Sequence, residues 1–155
     1  MLFVVFLFCK AFDRLNAKRG FMLTKHQALV YCMVVTSAAD NDMTDAELMK
    51  MREIVSVLPV FDAYDEEDLP KDAGKCAELL MDEDGFDHVL DLVRESLPLN
   101  LRETAYALAV EVAAADLHAA QEELRLLMMI RHKMDIDRLI AAGIERGARA
   151  RYARG

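Results

Sequence analysis

The stretch AADNDMTDAEL at residues 38–48 returns as AAADLHAAQEEL at residues 113–124. Laid so that Asp40 meets Asp116, Glu47 falls on Glu123 and Leu48 on Leu124 without a gap, a displacement of 76 residues. Apolar residues at helical spacing flank both copies. Leu29, Cys32, Met33, Thr36 and Ala39 lead into the first Asp, and Leu48, Met51, Ile54 and Val55, closed by Pro59, lead on from its Glu. In the second copy Leu101, Ala105, Leu108, Ala109, Val112 and Ala113 lead into Asp116, and Leu124, Leu127, Met128 and Arg131 lead on from Glu123. The spacing predicts two helical hairpins with short links, over 25–40/44–58 and 99–116/119–134.

Between the hairpins, Ala73, Cys76, Ala77 and Leu80 predict a helix over 71–81. DEDG at 82–85 reads as a turn. Phe86, Val89, Leu90 and Val93 predict a further helix that Pro98 closes. Residues 60–68 read as a short acidic connection, and Asp137, Leu139, Ile140 and Ile144 as a last helix frayed by Gly143, Gly147 and the Arg-rich end. The predicted fold class is all-α, a compact bundle of about seven helices with two pseudosymmetric helical-hairpin halves, in one domain over residues 22–155. The chain's 155 residues suit a single core. Met43, Met49, Met51, Met128, Met129 and Met134 are expected in that core.

With 27 acidic against 19 basic residues the net charge is −8, which argues against nucleic acid, whose phosphates need clustered Lys and Arg. From Asp62 to Glu95 there are 13 acidic residues against Lys71, Lys75 and Arg94. Arg138, Arg146, Arg149, Arg151 and Arg154 make the C-terminus basic. Solvated helix faces account for both; the basic end would also suit an anionic lipid surface or an acidic partner. Cys9, Cys32 and Cys76 form no C-x-x-C, and reduced, buried thiols of a cytosolic protein are the simplest reading.

Residues 1–21, MLFVVFLFCKAFDRLNAKRGF, stand apart as an N-terminal extension. Eight apolar residues fall far short of the roughly 20 that span a bilayer. No basic stretch precedes them and no A-x-A site follows, so a signal peptide is a poor fit. Three readings remain. One is a start codon placed too early, since Met22 opens MLTKHQALVY as a natural chain start would. Another is an extra amphipathic helix. The third is an interfacial anchor within residues 1–19, with Phe6, Phe8 and Phe12 beside Lys10, Arg14, Lys18 and Arg19.

Asp40 and Asp116 fall where apolar helices end, beside carbonyls already partly negative, so each needs an offsetting interaction. A local one is acceptance of hydrogen bonds from the turn's own N–H groups. Glu47 completes a capping box with Thr44; at the second copy Ala120 replaces that threonine, yet Glu123 stays. The sharper reading is a divalent-cation site of the Ca²⁺ or Mg²⁺ class. Asp40, Asp42, Asp45 and Glu47 crowd one turn, and Asp116 and Glu123 would join them if the hairpins face each other. It is not an EF-hand: no Gly occupies loop position six, and position twelve from Asp40 is Met51. His118 with Asp116 and Glu122 would suit a transition metal, although a lone loop histidine is more often merely exposed. DEDG fits an acidic turn better than a metal loop.

The twice-used pattern in SAADNDMTDAELMKM and VAAADLHAAQEELRLL, within a small acidic helical chain, resembles the TerB (tellurite-resistance) family and its TerB-like superfamily, which includes the N-terminal domain of membrane-anchored J-domain co-chaperones. The resemblance runs from about Met22 to Leu139. It implies an all-α bundle with two pseudosymmetric halves, acidic turns suggested to bind divalent cations, and a cytoplasmic setting in stress-response complexes near the inner membrane. Asp40, Glu47, Asp116 and Glu123 match the motif; Asp42 is added from local chemistry. Where the family typically has Asp-Gly, this chain has Asp40-Asn41 and Asp116-Leu117. Asn tolerates a left-handed turn and Leu does so poorly, so the second turn must differ from the first.

Two function classes follow: a non-catalytic cation-binding or adaptor module of metal or envelope stress, with protein partners, and a purely structural interaction domain whose acidic turns are caps. An enzyme is disfavoured. The chain has no H-E-x-x-H, no Gly-rich phosphate loop, no Ser-His-Asp set and no thiol beside a plausible base.

Overall fold

The computed structural model describes residues 22–38, 43, 45–115 and 121–153, with the backbone alone for 115 and 121–123. Among these residues are seven α-helices, joined in part by short 3₁₀ turns, and no strand. The helices are α1 (Lys25–Ser37), α2 (Asp45–Val57), α3 (Leu69–Leu80), α4 (Gly85–Ser96), α5 (Arg102–Ala115), α6 (Gln121–Lys133) and α7 (Arg138–Arg151). The protein is therefore the all-α bundle expected.

Two helices form the centre. Every residue of α1 from Ala28 to Ser37 is buried. A helix apolar on all sides can be stable only when surrounded. α5 buries Ala105, Tyr106, Leu108, Ala109, Val110, Val112 and Ala113, and packs along α1, where the Cys32 thiol donates to the Ala105 carbonyl at 3.4 Å. α3 and α4 lie on α1, and α7 lies on α5. Each hairpin's second helix reaches across to the other half: α2 touches α5, and α6 touches α1.

The 76-residue displacement holds in the backbone. It carries Asp45–Val57 onto Gln121–Lys133 end for end, and α1 onto α5 within two residues at either end. The third helix of each half packs on that half's first: α3 on α1, α7 on α5. α4 has no counterpart among the described helices.

Local chemistry sets the boundaries. Thr24 caps α1 in a reciprocal box, its hydroxyl accepting from Gln27 N–H at 3.2 Å while Gln27 Oε1 accepts from Thr24 N–H at 3.1 Å. Asp137 caps α7 through Leu139 N–H at 2.8 Å. Gly85 opens α4 against the end of α3, where a Cβ would stand 2.2 Å from the Leu79 carbonyl oxygen.

Three expectations need correction. Residues 60–68 are not a plain connection but two 3₁₀ turns, Pro59–Phe61 and Glu66–Asp68, with Phe61 buried. α7 does not fray at Gly143 or Gly147. It runs unbroken to Arg151, because Tyr106 donates to Glu145 at 2.6 Å, Tyr152 donates to Glu111 at 2.9 Å, and Arg151 pairs with Glu111. Of the six methionines only Met51 and Met134 are core; Met49 and Met128 are 72% and 55% exposed, and Met43 and Met129 are also exposed. The helical stripe that buries Met51 and Met134 turns those neighbours outward.

Candidate functional site

The candidate cation ligands fall at the two equivalent corners, between α1 and α2 and between α5 and α6. Asp40, Asp42 and Asp116 lie outside the described residues, as do Thr44 and His118. Glu47 and Glu123 are placed: each is the third residue of its half's second helix, α2 and α6. Glu47 is half-buried and Asp45 exposed. A first-turn carboxylate complements the positive end of the helix dipole, so both glutamates suit their backbone positions whether or not an ion binds.

Two hydroxyls close α1 at the first corner. Thr36 Oγ1 donates to the Cys32 carbonyl at 3.0 Å. Ser37 Oγ, on a residue only 3% exposed, has no hydrogen-bond partner among the described residues. A buried hydroxyl left unpaired costs about 1–3 kcal/mol, so this atom, three residues before Asp40, is an oxygen in want of a partner. It is invisible in the sequence, where a serine at a helix end reads as an ordinary terminus. Elsewhere, no group of three or more His, Cys, Asp or Glu side chains is gathered as a metal site among the described residues.

A second polar cluster was missed in the sequence. Asp72, 3% exposed on α3, accepts from Gln27 Nε2 at 3.1 Å and from the Tyr64 hydroxyl at 3.0 Å, with Lys75 Nζ at 4.0 Å. His26 donates to the Val60 carbonyl at 3.0 Å and sits against the rings of Phe61 and Tyr64. Burial, then the bond to Asp72, pushes the Tyr64 hydroxyl well above its ordinary pKa. Both carboxylate oxygens of Asp72 are satisfied by neutral donors, so the cluster ties α1, the 60s turns and α3 together. The signal available was Thr-Lys-His-Gln at 24–27, a capping box whose glutamine is then poised to face α3.

The buried thiols are inert. Cys32 is pushed from 9.0 up to about 12 by burial alone, and Cys76, donating to the Tyr31 carbonyl at 3.8 Å, is raised further for the same reason. A nucleophilic cysteine needs the opposite shift.

A groove of about 700 Å³ opens between α2, α5 and the end of α7. Ile54, Leu58, Ala107 and Leu108 form its apolar lining, and Val57 stands 72% exposed at its edge. Its charges are mutually paired: Lys50 reaches Glu53 at 3.0 Å and lies 5.3 Å from the Tyr152 ring centre, while Glu111 holds Arg151 and Tyr152. Nothing in the sequence marked this surface, because its residues belong to three separate stretches, 50–58, 104–111 and 151–152.

No family model, no curated protein and no solved structure matches the chain. No helix among the described residues is long and apolar enough to cross a membrane.

Proposed function

We propose that the protein is a non-catalytic, TerB-like stress-response module whose two acidic corners bind a divalent cation of the Ca²⁺ or Mg²⁺ class. One observation carries this reading: the displacement that aligns Asp40 with Asp116 and Glu47 with Glu123 also carries the bounds of α2 onto those of α6, end for end. Glu47 and Glu123 thus hold the same position in the two copies, which supports reading the acidic pattern as one repeated device. The unpaired Ser37 hydroxyl beside the first corner adds a neutral oxygen of the kind these ions accept.

Thermal melting with and without Ca²⁺, Mg²⁺, Mn²⁺ and Zn²⁺ tests it. An ion bound only by the folded state stabilises it by about 2.7 kcal/mol at a hundredfold excess over Kd. The expected result is a raised midpoint with Ca²⁺ or Mg²⁺ that Asp40→Asn and Asp116→Asn each reduce. Equal midpoints with every ion, in both wild type and variants, reject the cation site.

The metal-free adaptor reading is favoured by a separate observation. Leu124 and Met128, one turn apart on α6, are 53% and 55% exposed. Paired apolar side chains on one helix face suit a protein partner. Capture of partners from native cells, run with and without chelator, separates the two readings by whether the captured set changes.

A further inference from the structure

The two halves are not equally covered. α4 packs on α1, α3 and α6, burying Val89, Leu90, Leu92 and Val93. Exchanging the halves turns α1, α3 and α6 into α5, α7 and α2. Those are the three helices that line the open groove. The groove is therefore the counterpart of the seat that α4 fills, walled by the equivalents of the three helices on which α4 packs.

Chain order points to the occupant. α4 runs directly into α5; the stretch that runs directly into α1 is residues 1–21, which lie outside the described residues. Val5, Phe8, Phe12 and Leu15 follow one another at intervals of three, four and three, the spacing of a single helical stripe. The charges are complementary as well. The acidic α4 meets a base of α6, Lys133, which reaches Asp91 at 2.7 Å and Asp87 at 3.3 Å. In the groove Glu53 and Glu111 are already paired with Lys50 and Arg151, so the attraction is to the body as a whole: the segment is basic, with Lys10, Arg14, Lys18 and Arg19 against Asp13. That gives the segment +3, so residues 22–155 carry −11 of the total of −8. The exit point is close at hand: His26, on the first turn of α1, bonds the carbonyl of Val60, two residues beyond the groove-lining Leu58.

We propose that residues 1–21 seat their apolar stripe in the groove between α2, α5 and α7, as the counterpart of α4, and so complete the second half of the bundle.

Hydrogen exchange on the full chain tests this, with wild type compared to Phe8→Asp/Phe12→Asp and to Val57→Glu. Val57 is largely exposed, so its replacement does not threaten the fold. Amides of 50–58 and 104–111 are expected to exchange at least about tenfold faster in both variants, with 25–37 and 85–96 unchanged. Equal exchange in all three chains overturns the proposal. So does protection that grows with protein concentration, which would place a second copy in the groove. Wild-type chain that pellets with anionic vesicles while the groove amides match those of the variants also overturns it, as does a native chain whose intact mass begins at Met22.

Discussion

Asp72 carries more structure than any acid of the turns around it. Its two oxygens take the Tyr64 hydroxyl and the Gln27 amide in a site closed to water. Asp72→Ala strands both donors, and a stranded buried donor costs about 1–3 kcal/mol. Urea unfolding should show a loss in that range, with Asp72→Asn losing less because one acceptor remains. Asp135 is a different case. Its φ of 54° is left-handed, which Asp tolerates and Ala resists by about 1 kcal/mol. Its carboxylate also holds Arg94 at 2.6 Å and Arg102 at 3.5 Å, tying the α6–α7 turn to α4 and α5. At 60% exposure those ion pairs are screened and contribute modestly. Asp135→Ala should therefore cost clearly more than Asp135→Gly, which gives up the pairs but relaxes the backbone; denaturant midpoints of the two variants decide it.

At the scale of elements, the glycines separate into two kinds. Gly85→Ala puts a methyl into the Leu79–Leu80 backbone, so it should cost about 2 kcal/mol or more by forcing α4 away from α3. Gly143 and Gly147 have open space around their missing Cβ atoms, and α7 is continuous through both. Gly143→Ala and Gly147→Ala should each stabilise by about 0.5–1 kcal/mol, read as a rise in midpoint. The contrast shows what the sequence could convey. Apolar spacing placed α1, α2, α4, α5 and α6 within a few residues of their observed ends, because periodicity reports the buried face directly. It could not tell that α7 survives two glycines, since the Tyr106–Glu145 and Tyr152–Glu111 bonds that hold it join residues 39 and 41 positions apart. The 60s turns were unreadable for the same reason: Phe61 and Tyr64 are ordered by His26 and Asp72, which neighbour them only in the fold.

For the whole molecule, burial of proton-bearing groups fixes the alkaline limit. Cys32 rises from 9.0 to about 12 and Tyr31 from 10.0 to about 12, both chiefly by burial. Folded, these groups hold their protons more tightly than unfolded. The stability this represents is complete below pH 9.0, and is lost as pH rises through the folded values. Thermal midpoints should fall steeply between about pH 9 and pH 12, and less steeply in Cys32→Ala. The repeat itself was legible from one gapless match, which the backbone extends to whole helices. The groove was not, because it is defined by a helix that one half has and the described part of the other lacks. The acidic corners were legible as pattern alone; of the five proposed ligands the described structure fixes the helical positions of Glu47 and Glu123.

An amide-resolved titration of the labelled full chain with Ca²⁺ and Mg²⁺ addresses those corners most directly. If they are one repeated device, signals from 38–48 and from 113–124 move together and saturate at the same ion concentration, while the acidic face between Asp62 and Glu95 stays still. No movement at either corner, or shifts spread along the acidic face instead, would contradict it.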